Sequence, residues 1–327
     1  MQNTLDDFTK TVDPRTSLFD VTIDSETNGT LCLSGRVLDK SQLDELPRLL
    51  PDRQLDTASI RVLNLEKHEY VHVATNLTGL YERPTFEMPL SSELYFGTEL
   101  EVLDEQGKWI FTRQADGYLG WAYRPYLGEG HAPAATHLVL APVVEVRAEP
   151  SQSNGVITRL VSGTGISVEE KRGDWMKVKA NRDGWVSSSS IRALADIPKN
   201  IGGKRAWMIE DSHRMIGVPY VWGGTSGNGI DCSGFARLLH RWVGVEIPRD
   251  ADMQCDAAKI VEPPYEAGDL FFFAEGGDNR KITHVGMCLG NWKMIHSSRS
   301  HNGVYVDDIQ EVKFLKDIFV SAGSFLR

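Results

Sequence analysis

The spacing of apolar and polar positions divides the chain into stretches of different character. Near the start, Leu31-Cys32-Leu33 with Val37-Leu38, and again Ala58 to Leu63, read as strands, while leucines between Ser41 and Leu50 recur at helical spacing behind a Ser cap. A small α/β unit over residues 1–70 is predicted, with Cys32 as a thiol of its core. Further on, alternation in Glu99 to Leu103 and in Trp175 to Val178, with turns at Glu105-Gln106-Gly107 and Lys171-Arg172-Gly173, predicts short antiparallel strands. From about residue 200 the pattern changes again. Lys204 to Met215 reads as a helix ending at Gly217, and Phe235 to Val243 as a second helix capped by Asp231. Phe271-Phe272-Phe273 reads as a buried strand. In the strand begun by His284, the residues His284, Gly286 and Cys288 share one face, and Val285, Met287 and Leu289 share the other.

The two β-rich stretches are copies of one another. Pro84, Gly97 and Trp109 recur as Pro150, Gly163 and Trp175, each 66 residues later, and each copy goes on to a Gly-Trp pair, Gly120-Trp121 and Gly184-Trp185. Each copy is predicted to be a small all-β barrel, spanning 71–132 and 133–198, with tryptophan supplying apolar area to a core of marginal size. The pattern resembles the bacterial SH3-type domain, which implies a targeting or substrate-positioning accessory. The copies differ at Asp116-Gly117-Tyr118-Leu119, where the second has only Arg182-Asp183 before its Gly-Trp pair. Tyr118 either packs on the barrel surface or lines a ligand site, where Glu82, Glu87 or Glu93 of the same barrel's long loop would join it.

Composition narrows the function classes. With 327 residues, 41% hydrophobic, 24% charged and 14 prolines, the chain is multidomain globular material, and disorder, collagen and coiled coil are excluded. A formal charge of −10 disfavours nucleic acid and anionic membrane as partners, and no run approaches the ~18 apolar residues of a membrane span. Only −2 of that charge falls in residues 200–327, so −8 lies upstream. The start lacks a basic and an apolar region, so the expected location is the cytoplasm, or the cell envelope or outside if a signal was removed. Cys32, Cys232, Cys255 and Cys288 form no CxxC pair. Free thiols, no metal site and no cofactor are expected.

Chemistry concentrates around Cys232. It follows the capping residue Asp231 at a predicted helix N-terminus, where unpaired N–H groups and the helix dipole favour a thiolate and are expected to lower its pKa. Cleaving an amide also needs a group to protonate the departing amine, the task for which histidine is suited. His284 lies on the glycine-bearing face of its strand, with room for a thiol beside it, and His296 ends an apolar stretch where it can orient another ring. These three have the logic of a papain-like triad.

Asp231-Cys232-Ser233-Gly234-Phe235, His284-Val285-Gly286 and His296 resemble the NlpC-type cell-wall cysteine peptidases. So do Tyr220-Val221-Trp222-Gly223-Gly224, Pro248-Arg249-Asp250 with Gln254, and Ala267-Gly268-Asp269-Leu270. The resemblance covers about 205–327 and implies an α+β fold with a papain-like catalytic domain over 199–327. It implies Cys232 as nucleophile, His284 as general base and acid, and His296 as the third residue. Tyr220, Asp231, Ser233 and Arg249 would contact substrate, unless Arg249 is spent on a surface salt bridge with Asp250 or Asp252. Two SH3-type units ahead of such a domain resemble the endopeptidases that cut γ-D-glutamyl to diamino acid bonds in peptidoglycan stem peptides. In that subgroup the first barrel helps select stems with a free N-terminal L-alanine, whose ammonium would meet Tyr118 and a carboxylate such as Glu82 or Glu87. The alternatives are a wall-binding protein with an inert C-terminal domain, and an amidase or acyltransferase on the same fold.

Overall fold

The computed structural model describes residues 1–64, 69–275 and 281–326. It is an α+β chain with a small α/β unit, two all-β barrels and a papain-like catalytic domain. In the first unit the strands Phe19–Thr27 and Thr30–Val37 pair antiparallel, and Thr30–Val37 pairs in parallel with Gln54–Val62. A parallel pair needs a crossover, here the helix Lys40–Leu49. Leu31 and Leu33 point to the core shared with Leu5 and Leu46. Strand alternation therefore turns Cys32 to the opposite face, half-buried, and it is not the core thiol expected. Nor does Ser41 cap the helix. Asp39 does, and its own N–H donates to the Gln42 side chain at 2.9 Å.

The repeat is a repeat of architecture. Leu77–Tyr81, Leu90–Tyr95, Glu99–Gln106 and Trp109–Arg113 of the first barrel recur as Val143–Arg147, Val156–Val161, Gly165–Arg172 and Trp175–Lys179, in the same order of pairing. Gly97 and Gly163 turn the chain at the same place with φ of 77° and 84°, a conformation that side chains bearing a Cβ seldom adopt.

In the last unit, six antiparallel strands run across the sheet in the order Lys259–Ile260, Phe319–Ser324, Leu270–Phe273, His284–Gly290, Lys293–Ser298 and Gly303–Asp308. The helix Cys232–Trp242 packs Phe235, Leu238, Leu239 and Trp242 onto the sheet face bearing Val285, Met287 and Ile295.

The units interlock around this domain. Leu138 and Leu140 of the second barrel belong to the catalytic core, and the Trp242 indole N–H donates to the Val139 carbonyl at 3.0 Å. At the first barrel, the Tyr95 hydroxyl donates to the Thr225 carbonyl at 2.6 Å, and the Thr225 N–H donates to Glu93 at 2.8 Å. A Cβ on Gly223 would stand 2.2 Å from the Leu90 carbonyl oxygen, so the two units meet there at a distance that only glycine allows. The N-terminal unit shares an apolar cluster with the first barrel, containing Leu38, Leu63, Phe111 and Trp121. Arg36 and Arg61 also meet the barrel's buried Asp104, at 3.0 and 2.7 Å.

Candidate active site

The helix Cys232–Trp242 starts where it does because Asp231 caps it, accepting the Gly234 N–H at 2.7 Å. The cap also accepts the Gly223 N–H at 3.0 Å and a fork from Arg249 at 2.7 and 3.2 Å. Asp231 and Arg249 are therefore joined in one buried network. Arg249 is 1% exposed and also donates to Ser233 Oγ (2.9 Å) and Ser92 Oγ (3.1 Å), so it is neither a surface ion pair nor free to meet a carboxylate. The Ser233 hydroxyl donates to Asp231 at 3.2 Å and is held in the same network.

The Cys232 thiol faces the backbone N–H groups of Val285 and Ser233 and lies beside the Tyr220 phenol. The Val285 contact places it at the start of the strand His284–Gly290. Gly286 does not open space for the thiol, because the helix packs on the other face of the strand. A Cβ there would meet Met294 Sδ at 2.7 Å and His296 Cβ at 3.1 Å, so the glycine makes room for His296.

From His284 runs a chain of hydrogen bonds. His284 Nε2 and His296 Nδ1 are 2.7 Å apart, and His296 Nε2 is 2.9 Å from Asp307 Oδ2. A carboxylate only accepts, so His296 must carry its proton on Nε2 and accept from His284 at Nδ1. His284 then has its proton on Nε2 and a lone pair on Nδ1. This is the neutral, basic form a thiol partner requires. Asp307 also takes His301 Nε2 at 3.1 Å, and the two imidazoles beside it hold its carboxyl below the usual range. Sequence reasoning missed Asp307.

Burial governs protonation here. It pushes the Cys232 thiol up to about 12, with Asp231 adding to the effect, and pushes His284 down to about 3, with His296 adding to it. The expected fall in the thiol pKa is overturned, because desolvation of the anion outweighs the N–H groups that favour it. Both directions favour the uncharged forms, a thiol at Cys232 and a neutral imidazole at His284. The Tyr220 phenol, half-buried next to the thiol, is pushed up to about 12 by that burial and stays a donor.

Tyr118 is not barrel-surface packing. It is buried, and its hydroxyl donates to Asp250 Oδ2 of the catalytic domain at 3.1 Å. Burial and then Asp250 raise its pKa. Glu82 and Glu87 are exposed and form no bond to Tyr118 among the described residues, and Glu93 is turned to Thr225. Asp250 follows Arg249, which binds Asp231, Ser233 and Ser92.

Residues 217–322 match the NlpC/P60 family, residues 142–192 the bacterial SH3 domain, and residues 80–122 the SH3 domain of bacterial dipeptidyl-peptidases. The chain is 27% identical over 249 residues to the gamma-D-glutamyl-L-lysine dipeptidyl-peptidase of Bacillus cereus (strain ATCC 10987 / NRS 248), covering 70% of this chain and 73% of that protein. It is 29% identical over 240 residues to the protein of the same name from Bacillus subtilis (strain 168), covering 70% and 79%. The crystal structure of an NlpC/P60 family protein from Bacillus cereus ATCC 10987 shares the fold, with a TM-score of 0.68 at 21% identity over 79% of this chain and all of that one. The chain thus carries an NlpC/P60 cysteine peptidase domain, with two bacterial SH3 domains ahead of it.

Proposed function

We propose that the protein is a peptidoglycan hydrolase that cuts the γ-D-glutamyl to diamino acid bond of stem peptides. The observation that carries this is the hydrogen-bonded row His284, His296 and Asp307, with the Cys232 thiol at the Val285 N–H, in a chain resembling two γ-D-glutamyl-L-lysine dipeptidyl-peptidases over about 70% of its length. Cys232 attacks the γ-carbonyl carbon as His284 Nδ1 takes its proton, which forms a C–S bond and a tetrahedral oxyanion. The Tyr220 hydroxyl and the N–H groups around Cys232 face that oxyanion, and such donors are each worth roughly 3–4 kcal/mol in the transition state. His284 then gives its proton to the departing amine as the C–N bond breaks. Water activated by the same His284 resolves the thioester.

The stems taken are those with a free N-terminal L-alanine, and Tyr118 with Asp250 receives the ammonium. The support is a carboxylate and a phenol held together at the seam of barrel and catalytic domain. A stem still joined to its glycan has no free alanine amine, so the substrates are released peptides of the kind formed in wall turnover and recycling. The test is mass analysis of L-Ala-γ-D-Glu-L-Lys after incubation with the protein. Free lysine and the dipeptide L-Ala-γ-D-Glu are expected, with cleavage falling at least tenfold when the alanine amine is acetylated. Release of free alanine instead, or no cleavage of either peptide, would contradict the assignment. Equal rates on the free and acetylated peptides would remove the amine preference alone.

A further inference from the structure

One residue of the N-terminal unit reaches the seam that carries Tyr118 and Asp250. Arg15 leaves its own unit in the turn before the strand Phe19–Thr27, and its guanidinium meets three carboxylates. Nη1 lies 2.9 Å from Asp250 Oδ2 and 2.8 Å from Asp252 Oδ1. Nη2 lies 2.8 Å from Asp252 Oδ2 and 2.7 Å from Asp13 Oδ2, while Nε lies 3.0 Å from Asp13 Oδ1. The Arg15 carbonyl accepts the Leu119 N–H at 2.7 Å, from the residue after Tyr118. Three units of the chain thus converge on one side chain, and Asp250 Oδ2 receives both the Arg15 guanidinium and the Tyr118 hydroxyl.

We propose that the N-terminal unit is part of the substrate pocket, with Arg15 as the positioning residue that sets the amine-receiving pair Tyr118–Asp250. Asp250 and Asp252 flank Ala251, the first residue of the helix Ala251–Ala257, and would repel each other unbridged. A guanidinium spans both with fixed geometry, and Asp13 fixes the guanidinium from behind. Oδ2 of Asp250 is thereby aimed at Tyr118, and Oδ1 is left for a ligand, 3.8 Å from Arg249. Three carboxylates thus meet the one guanidinium of Arg15. Without Arg15 the Asp250 carboxylate loses its aim, and binding of an ammonium weakens while the Cys232 chemistry keeps its parts.

This inference rests on the free-amine reading above, and one experiment separates the two. The ratio of kcat/KM for L-Ala-γ-D-Glu-L-Lys to that for its N-acetyl form is measured on the full-length wild type, Arg15→Ala, Arg15→Lys and Asp252→Asn, with an unfolding midpoint for each. A wild-type ratio near one sinks the amine reading itself. Given a wild-type preference for the free amine, Arg15→Ala is expected to lower the ratio at least tenfold, mainly through KM. Arg15→Lys, with one ammonium for two carboxylates, falls between. A ratio that holds at the wild-type value in the variants overturns the inference, whether both rates stay high or fall together as they would for a purely structural role. If Arg15→Ala does not fold, Arg15→Lys and Asp252→Asn decide by the same ratio.

Discussion

Asp307 shows how a single side chain sets the state of a site from two residues away. Its carboxylate fixes the His296 tautomer, and that in turn leaves His284 Nδ1 unprotonated. An amide at this position offers an N–H as well as an oxygen and can reverse both tautomers. Asp307→Asn is therefore expected to cost on the order of 10²-fold or more in kcat with KM little changed, as steady-state kinetics on the tripeptide would show. The protonation states carry a pH prediction as well. Because burial holds His284 low and Cys232 high, alkylation of Cys232 by iodoacetamide should climb through pH 9 with no plateau near neutrality. Saturation near pH 7 would show an ion pair instead. Cys232, His284 and His296 were legible in the sequence because motif and residue type coincide there. Asp307 was not. It meets His296 diagonally across two strands, in a register where His296 faces Tyr305, and no local spacing announces such a pairing. The direction of the thiol pKa was misread because a helix start is visible in sequence and burial of the thiol is not.

At the scale of elements, the 66-residue repeat gave both barrels, since turn glycines and tryptophans recur at fixed offsets and dictate local backbone. The helix after Cys232 was equally plain from its cap and apolar stripe. The helix Gln2–Thr9 went unread, for only Leu5 of it is buried and its polar positions give little periodicity. Which face of the strand His284–Gly290 meets the catalytic helix was also hidden, because alternation defines two faces without saying what covers each. Gly286 turns this into a test. Gly286→Ala places a methyl 2.7 Å from Met294 Sδ and 3.1 Å from His296 Cβ. A drop of about 1–3 kcal/mol in unfolding free energy is expected, together with a loss of kcat larger than any change in KM.

For the whole molecule, what matters is how the units are joined, and this was the least legible level. Arg15 meeting Asp250, Trp242 meeting Val139 and Gly223 under Leu90 link positions far apart in the chain. The net charge of −10 did suggest an acidic region upstream of the catalytic domain, yet the acidic residue that meets Tyr118 is Asp250, from the catalytic domain itself. Stability should depend on pH through the buried histidines. His240, within the catalytic helix, is held down to about 4 by burial. A histidine that stays neutral when folded and protonates near 6.5 when unfolded contributes stability above that pH and loses it as pH falls toward the folded value. Between pH 7.5 and pH 5 this one residue is expected to remove about 2 kcal/mol from the urea-unfolding free energy. His240→Met should flatten that part of the profile.

The central claim is that one thiol performs the cleavage. Wild type and Cys232→Ala, matched for folding by circular dichroism, are incubated with L-Ala-γ-D-Glu-L-Lys, and released lysine is counted. The account predicts steady release by the wild type and a fall of at least 10³-fold in the variant. Undiminished release by Cys232→Ala would contradict it.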